Sequence, residues 1–138
     1  MSGTCLEETM PVDSGVDLIR FVRETLGCGC PDEVLARIAI DVSGVGECGL
    51  DVGGRLLVRV LDGDDVDRLI ETFPDTVERL RGERDRRGFR RLRLVVTHPE
   101  PGVLCEILEN ILGLVAAADE RVYIHVLENE DLPSMLTL

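Results

Sequence analysis

The residues best equipped for chemistry in this chain are the two thiols of Cys28-Gly29-Cys30-Pro31. The segment reads as the start of a short helix ending near Leu35. Cys30 stands at the N-cap and Pro31 at the first helical position, and Asp32 and Glu33 meet the positive end of the dipole. A thiol at an N-cap faces unpaired backbone N–H groups, which favour the thiolate, the form that binds metals and attacks disulfides. Gly29 lets the backbone turn both sulfurs to one side. Redox and zinc pairs more often separate their cysteines by two residues, so a single glycine is a departure. The plain alternative is two small residues at a tight helix junction.

A third partner is suggested by topology. Open α/β sheets bind ligands outside the carboxyl ends of their strands, and one such end is Thr97-His98-Pro99-Glu100. If the first strand runs antiparallel to the second, its start, and with it Cys28 and Cys30, falls at that same edge. His98 then serves as a base or a metal ligand. The expected metal set is therefore Cys28, Cys30 and His98, around a metal ion or an iron–sulfur cluster. Cys48 leaves the first strand at its other end, about 16 Å away, too far to share a coordination sphere. Cys105 sits beside the apolar face of a helix and reads as packed, and Cys5 lies on a loose amino-terminal arm. A four-thiolate site across a homodimer axis, with both cysteines from each chain, is geometrically simpler.

The run Phe21 to Val34, through Gly27-Cys28-Gly29-Cys30-Pro31-Asp32-Glu33, resembles the opening of a group of small uncharacterised proteins of anaerobic archaea and bacteria. Gly54-Arg55-Leu56-Leu57 and the stretch from Glu83 to Phe89 resemble it too. The resemblance covers most of the chain. It implies a discrete domain and brings no assigned activity.

Three other patterns carry possible chemistry. Asp62-Gly63-Asp64-Asp65 and Glu128-Asn129-Glu130-Asp131 offer hard oxygen ligands suited to Mg²⁺, although Asp64 and Asp65 also read as ordinary helix caps. Gly44-Val45-Gly46-Glu47-Cys48-Gly49 matches the dinucleotide fingerprint, but a strand follows it, so no helix dipole awaits a pyrophosphate and the segment reads as a turn. Arg81, Arg84, Arg86, Arg87, Arg90, Arg91 and Arg93 form a basic stretch that could dock a protein partner, yet only Phe89 supplies the aromatic stacking that single-stranded nucleic acid requires.

The elements that position these groups follow from periodicity. A first helix spans about residues 14–26, and Ile38, Ile40 and Val42 alternate as a strand. Residues 43–54 hold five glycines and read as a long turn, with Gly53-Gly54 its tightest point. Arg55–Leu61, Leu92–Thr97 and Val122–Leu127 read as strands. The helices between them, from Asp64 or Asp65 to about Leu80 and from Pro101 to Ala118, force two right-handed crossovers and parallel pairing. Pro74 kinks or restarts the first of these helices. His125 and Tyr123 fall mid-strand. The expected fold is α/β, with a mixed, mostly parallel sheet of about four strands, an antiparallel edge hairpin and flanking helices. It occupies residues 14–138 behind an arm of residues 1–13.

Composition bounds the function. With 138 residues, the chain matches one domain and can bury a core without a staple. Its 27 acids against 15 bases give a net charge of −12, which argues against nucleic acid. Every base is Arg; the absence of Lys excludes P-loop and Schiff-base chemistry. No apolar run is long enough for a membrane span, the amino terminus does not read as a signal peptide, and an odd number of cysteines argues against a disulfide framework. Three readings result. The first is a cytoplasmic thiol module binding a metal or iron–sulfur centre, or doing thiol redox, through Cys28 and Cys30. The second is a non-catalytic interaction domain docking through Arg81–Arg93, and the third a Mg²⁺-dependent enzyme using the acidic loops.

Overall fold

A computed structural model describes residues 17–27, 29–42, 47–133 and 136. The mixed α/β sheet is present and has five strands: β1 (Ile38–Val42), β2 (Cys48–Val52), β3 (Leu56–Asp62), β4 (Arg91–Thr97) and β5 (Val122–Leu127), in spatial order β1-β2-β3-β4-β5. β3, β4 and β5 pair in parallel, with Leu57 opposite Leu92 and Leu92 opposite Val122. Helices α3 (Val66–Arg86) and α4 (Pro101–Val115) make the two crossovers. Asp65 caps α3 by accepting the Arg68 N–H at 3.2 Å, and α3 continues through Pro74 as one helix.

β2 is the element the sequence hid. Residues 48–52 lie inside the glycine-rich stretch read as turn, yet Cys48, Leu50 and Val52 alternate and all three are buried. β2 pairs antiparallel with both β1 and β3. The edge strand β1 is thus antiparallel to β2, as an edge hairpin requires, and runs in the same direction as β3. Gly53 and Gly54, with φ of +60° and +71°, close the β2–β3 turn, where Arg55 N–H donates to the Val52 carbonyl at 3.0 Å.

Strand alternation sends successive side chains to two different layers. Leu57, Leu61, Leu92, Leu94, Val96 and Val122 meet α3 and α4 through Phe73, Val77, Leu80, Leu104 and Leu108. Leu50, Val52, Leu56, Val58 and Val95 face the other side, beneath Leu18, Phe21, Val22, Val34 and Leu35. That cover comprises α1, which is α-helical over residues 17–20 and a π-helix over Phe21–Thr25, and the four-residue α2 (Asp32–Leu35). The acidic tail forms a 3₁₀ turn at Asn129–Asp131, and Leu132 and Leu136 close the same core.

Candidate functional site

The thiol loop begins where α1 ends. The last turn closes with Leu26 N–H on the Phe21 carbonyl at 3.0 Å, an i→i−5 bond, and Gly27 takes the left-handed φ of +69° expected just past a helix end. α2 starts one residue later than expected. Pro31, with φ −63° and ψ 156°, is its N-cap, and the Pro31 carbonyl accepts from Val34 and Leu35. Proline already holds the φ a cap tolerates and needs no N–H there, so it displaces Cys30 from the position. Cys30 therefore lacks the N-cap role that was expected to favour its thiolate. It is half-buried, packs against the core beneath α1 and is disulfide-bonded. Cys48 and Cys105 are free thiols. Burial pushes the Cys105 thiol up, the nearby Glu109 carboxylate adds to this, and a backbone hydrogen bond from Val126 opposes it. Cys28 and Cys5 lie outside the described residues.

At the start of this loop the last arginine of the basic stretch meets the two mid-strand residues of β5. Arg93, 8% exposed, donates to the Leu26 carbonyl at 2.7 Å, lies 2.9 Å from His125 Nε2 and stacks 4.5 Å over the Tyr123 ring. Among the described residues no carboxylate pairs with it, and its Nε has no hydrogen-bond partner. Burial lowers the Arg93 pKa from its ordinary value. His125 is pushed down to about 4, first by burial and then by the Arg93 charge, so at neutral pH it is the uncharged neighbour of a cation. The signal available in the sequence was the alternation Arg91-Leu92-Arg93-Leu94, which sends Arg93 to the α1 face and away from α3.

His98 stands at the other end of the sheet. It is half-buried past the carboxyl end of β4, where its N–H donates to the Leu127 carbonyl at 2.9 Å and its Nδ1 accepts the Glu100 N–H at 2.9 Å. The inserted β2 is the reason for the separation. It turns β1 parallel to β3, so β1 starts beside Val52 and Leu56, at the amino-terminal end of the parallel strands. Arg93, which anchors the thiol loop, precedes His98 by five residues, about 16 Å along a strand. Among the described residues, no group of three or more His, Cys, Asp and Glu side chains is arranged to hold a metal ion.

At the carboxyl ends of β3 and β4 a cavity of about 290 Å³ is lined by Val60, Leu61, Asp62, Asp64, Thr97 and Asn129, among others. Its acids act locally: Asp62 Oδ1 accepts the Asp64 N–H at 2.9 Å. Gly63 is needed there, because a Cβ would stand 2.5 Å from the Thr97 carbonyl oxygen.

The arginine stretch is divided: Arg84 and Arg93 are buried, Arg81 is half-buried, and Arg86, Arg87, Arg90 and Arg91 are exposed. Arg81 and Arg84 converge on Asp119 at 2.9 and 2.8 Å. These guanidiniums and the Arg121 N–H hold the Asp119 carboxyl well below the usual range despite its burial. Arg87 bonds Asp41 and Glu83, and a residue outside the stretch completes this cluster. Arg59, fully buried in mid-β3, donates to the Asp41 carbonyl at 3.0 Å, to Asp41 Oδ2 at 2.8 Å and to Glu83 Oε2 at 2.7 Å. Gly49 of β2 lies between Arg59 and Asp41 in register, and only a residue without a side chain lets the guanidinium cross the strand.

Fold and site together define an α/β domain with a half-buried Cys30 just past the end of α1 and a buried Arg93 that bonds Leu26 there and has no carboxylate partner among the described residues. No protein-family model, curated protein or solved structure matches the chain.

Proposed function

We propose that this chain is a cytoplasmic thiol–disulfide module whose working pair is Cys28 and Cys30. The observation that carries the reading is that Cys30 is disulfide-bonded while Cys48 and Cys105 are free. In a reducing compartment such a bond is transient and belongs to catalysis or sensing. Cysteines two residues apart can meet the roughly 4.4–6.8 Å Cα separation a disulfide needs if the chain turns between them, and Gly29 permits that turn. In the reducing direction one thiolate attacks a disulfide of the substrate and expels one of its sulfurs as a thiolate. The second cysteine then attacks the mixed disulfide, so the substrate leaves as a dithiol and the pair is left oxidised. The Arg93 cation bonded to Leu26 at the start of the loop, with no carboxylate partner among the described residues, favours the thiolate form. The same dithiol, when reduced, is the form that would hold a metal or iron–sulfur centre, and the disulfide favours the redox branch.

Disulfide mapping and titration in defined thiol–disulfide buffers test this. A single two-electron transition is expected. Cys28→Ser should abolish it and Cys5→Ser should leave it intact. In the reduced protein the pair should alkylate faster at neutral pH than Cys105, whose thiol is held protonated. Cys30 bonded to Cys5, or a pair that alkylates no faster than Cys105, would sink the reading.

A further inference from the structure

We propose that the cavity at the carboxyl ends of β3 and β4 is a binding site for a small organic cation, an alkylammonium whose charge meets Asp62 and Asp64 and whose chain lies on an apolar floor. It is independent of the thiol pair. Ligands of open α/β sheets bind outside the carboxyl ends of the parallel strands, which is where this cavity lies. At about 290 Å³ it stands at the small end of ligand pockets. Strand alternation fixes the face it opens on. Val60 and Val95 belong to the α1-side core with Leu132 and Leu136, so Asp62 and Thr97, two residues further along each strand, point to that side too.

Thr97 marks the cavity as a site. It is 7% exposed and lines the cavity, yet among the described residues nothing forms a hydrogen bond with its hydroxyl. A polar group taken out of water without a partner is costly, and a bound donor or acceptor removes that cost. Asp62 and Asp64 are exposed and line the same cavity, and neither makes an ion pair among the described residues. No described base lines it, so an anion would meet only repulsion. The remaining walls, Val60, Leu132 and Leu136, are aliphatic and offer no oxygen ligand from their side chains. A divalent ion takes about six oxygens, and among the described residues no three His, Cys, Asp or Glu side chains converge to hold one. An ammonium has three donors, as many as two carboxylates and one hydroxyl can accept. Its methylenes then cover the aliphatic walls, as the stems of long charged side chains do.

The test titrates n-butylammonium chloride into the full chain at physiological ionic strength and follows methyl and amide NMR signals. Saturable shifts at Val60, Thr97, Leu132 and Leu136 are expected, with a dissociation constant of about 1 mM for so small a ligand. n-Butanol and n-butyrate at the same concentrations should give none. Asp64→Asn, at an exposed position, should weaken binding about fivefold or more. Thr97→Val should weaken it about threefold or more and leave the melting temperature unchanged or raised, because the hydroxyl it removes has no partner. Absence of saturable shifts overturns the proposal. So does equal binding of n-butanol, which would make the cavity simply apolar, or tighter binding of Mg²⁺ at the same methyl groups, which would make it a metal site. Binding unchanged in both variants overturns it as well. A lower melting temperature for Thr97→Val would show a hydroxyl already satisfied within the fold, with the same consequence.

Discussion

Removing the Arg59 guanidinium should cost this fold about 3 kcal/mol. Arg59 is 0% exposed and supplies three hydrogen bonds, two to Asp41 and one to Glu83. Breaking a buried ion pair by deleting one partner costs roughly 3–5 kcal/mol, because the other charge stays behind uncompensated. Here Arg87 still reaches Asp41 and Glu83 at 2.9 and 2.6 Å, which places Arg59→Met at the lower end. Methionine keeps most of the side-chain volume, so cavity formation adds little. For a domain this size the loss corresponds to a melting temperature lower by about 10 °C. The pH dependence gives an independent check. The arginines hold the Asp41 and Glu83 carboxyls below their ordinary values, against the effect of burial. Their stabilisation is complete above the unfolded-state pKa values of about 4 and is lost as pH falls through the lower folded values. Urea unfolding should therefore show a gap between parent and Arg59→Met that is widest near neutral pH and narrows in acid. A neutral-pH gap below about 1 kcal/mol, or one that does not narrow in acid, would refute the account of a buried charged cluster.

Two further outcomes follow from the strand interior. Gly49→Ala places a Cβ 1.8 Å from the Val58 carbonyl oxygen and 2.9 Å from Arg59 Nη1, so it should disrupt both the β2–β3 ladder and the arginine crossing. A loss of at least about 3 kcal/mol in a thermal melt is expected. His125, at about 4 in the folded protein against 6.5 ordinarily, binds fewer protons folded than unfolded between those values, so stability should fall by up to about 3 kcal/mol as pH drops through this window. An NMR titration placing His125 above 6, or a His125→Gln variant with the same slope between pH 6.5 and 4, would contradict that.

The parallel half of the sheet was legible because β3, β4 and β5 are long apolar runs separated by helices, and burial on both faces gives that composition directly. β2 was not legible for a reason that lies outside its own residues. Its period-2 signal, Cys48, Leu50 and Val52, was present, but Gly49 weakens any strand assignment made from local preference. The glycine is there because Arg59, ten residues later, must pass over it. Missing β2 reversed the direction of β1 relative to β3 and put the thiols and His98 at one edge. A single unread strand thus separated His98 from Cys30.

Within the arginine stretch, charge density along the sequence does not say which layer each charge faces. α3 turns Arg84 and Arg87 toward the sheet, where Asp119, Asp41 and Glu83 meet them, and β4 carries Arg93 through to the other side. With no lysine in the chain, the planar, multi-donor guanidinium is the cation available for interior use, and it can satisfy two or three acceptors at once. The α3–α4 side spends its buried cations on carboxylates. The α1 side is different: Arg93 has a carbonyl, a neutral histidine and an aromatic face, and no described acid. That asymmetry leaves one buried positive charge without a carboxylate among the described residues, and it bonds Leu26 where the loop that carries Cys30 begins. On the thiol–disulfide reading proposed above, an anionic sulfur formed there would supply a counter-charge, which favours this face over the acidic ends of the strands.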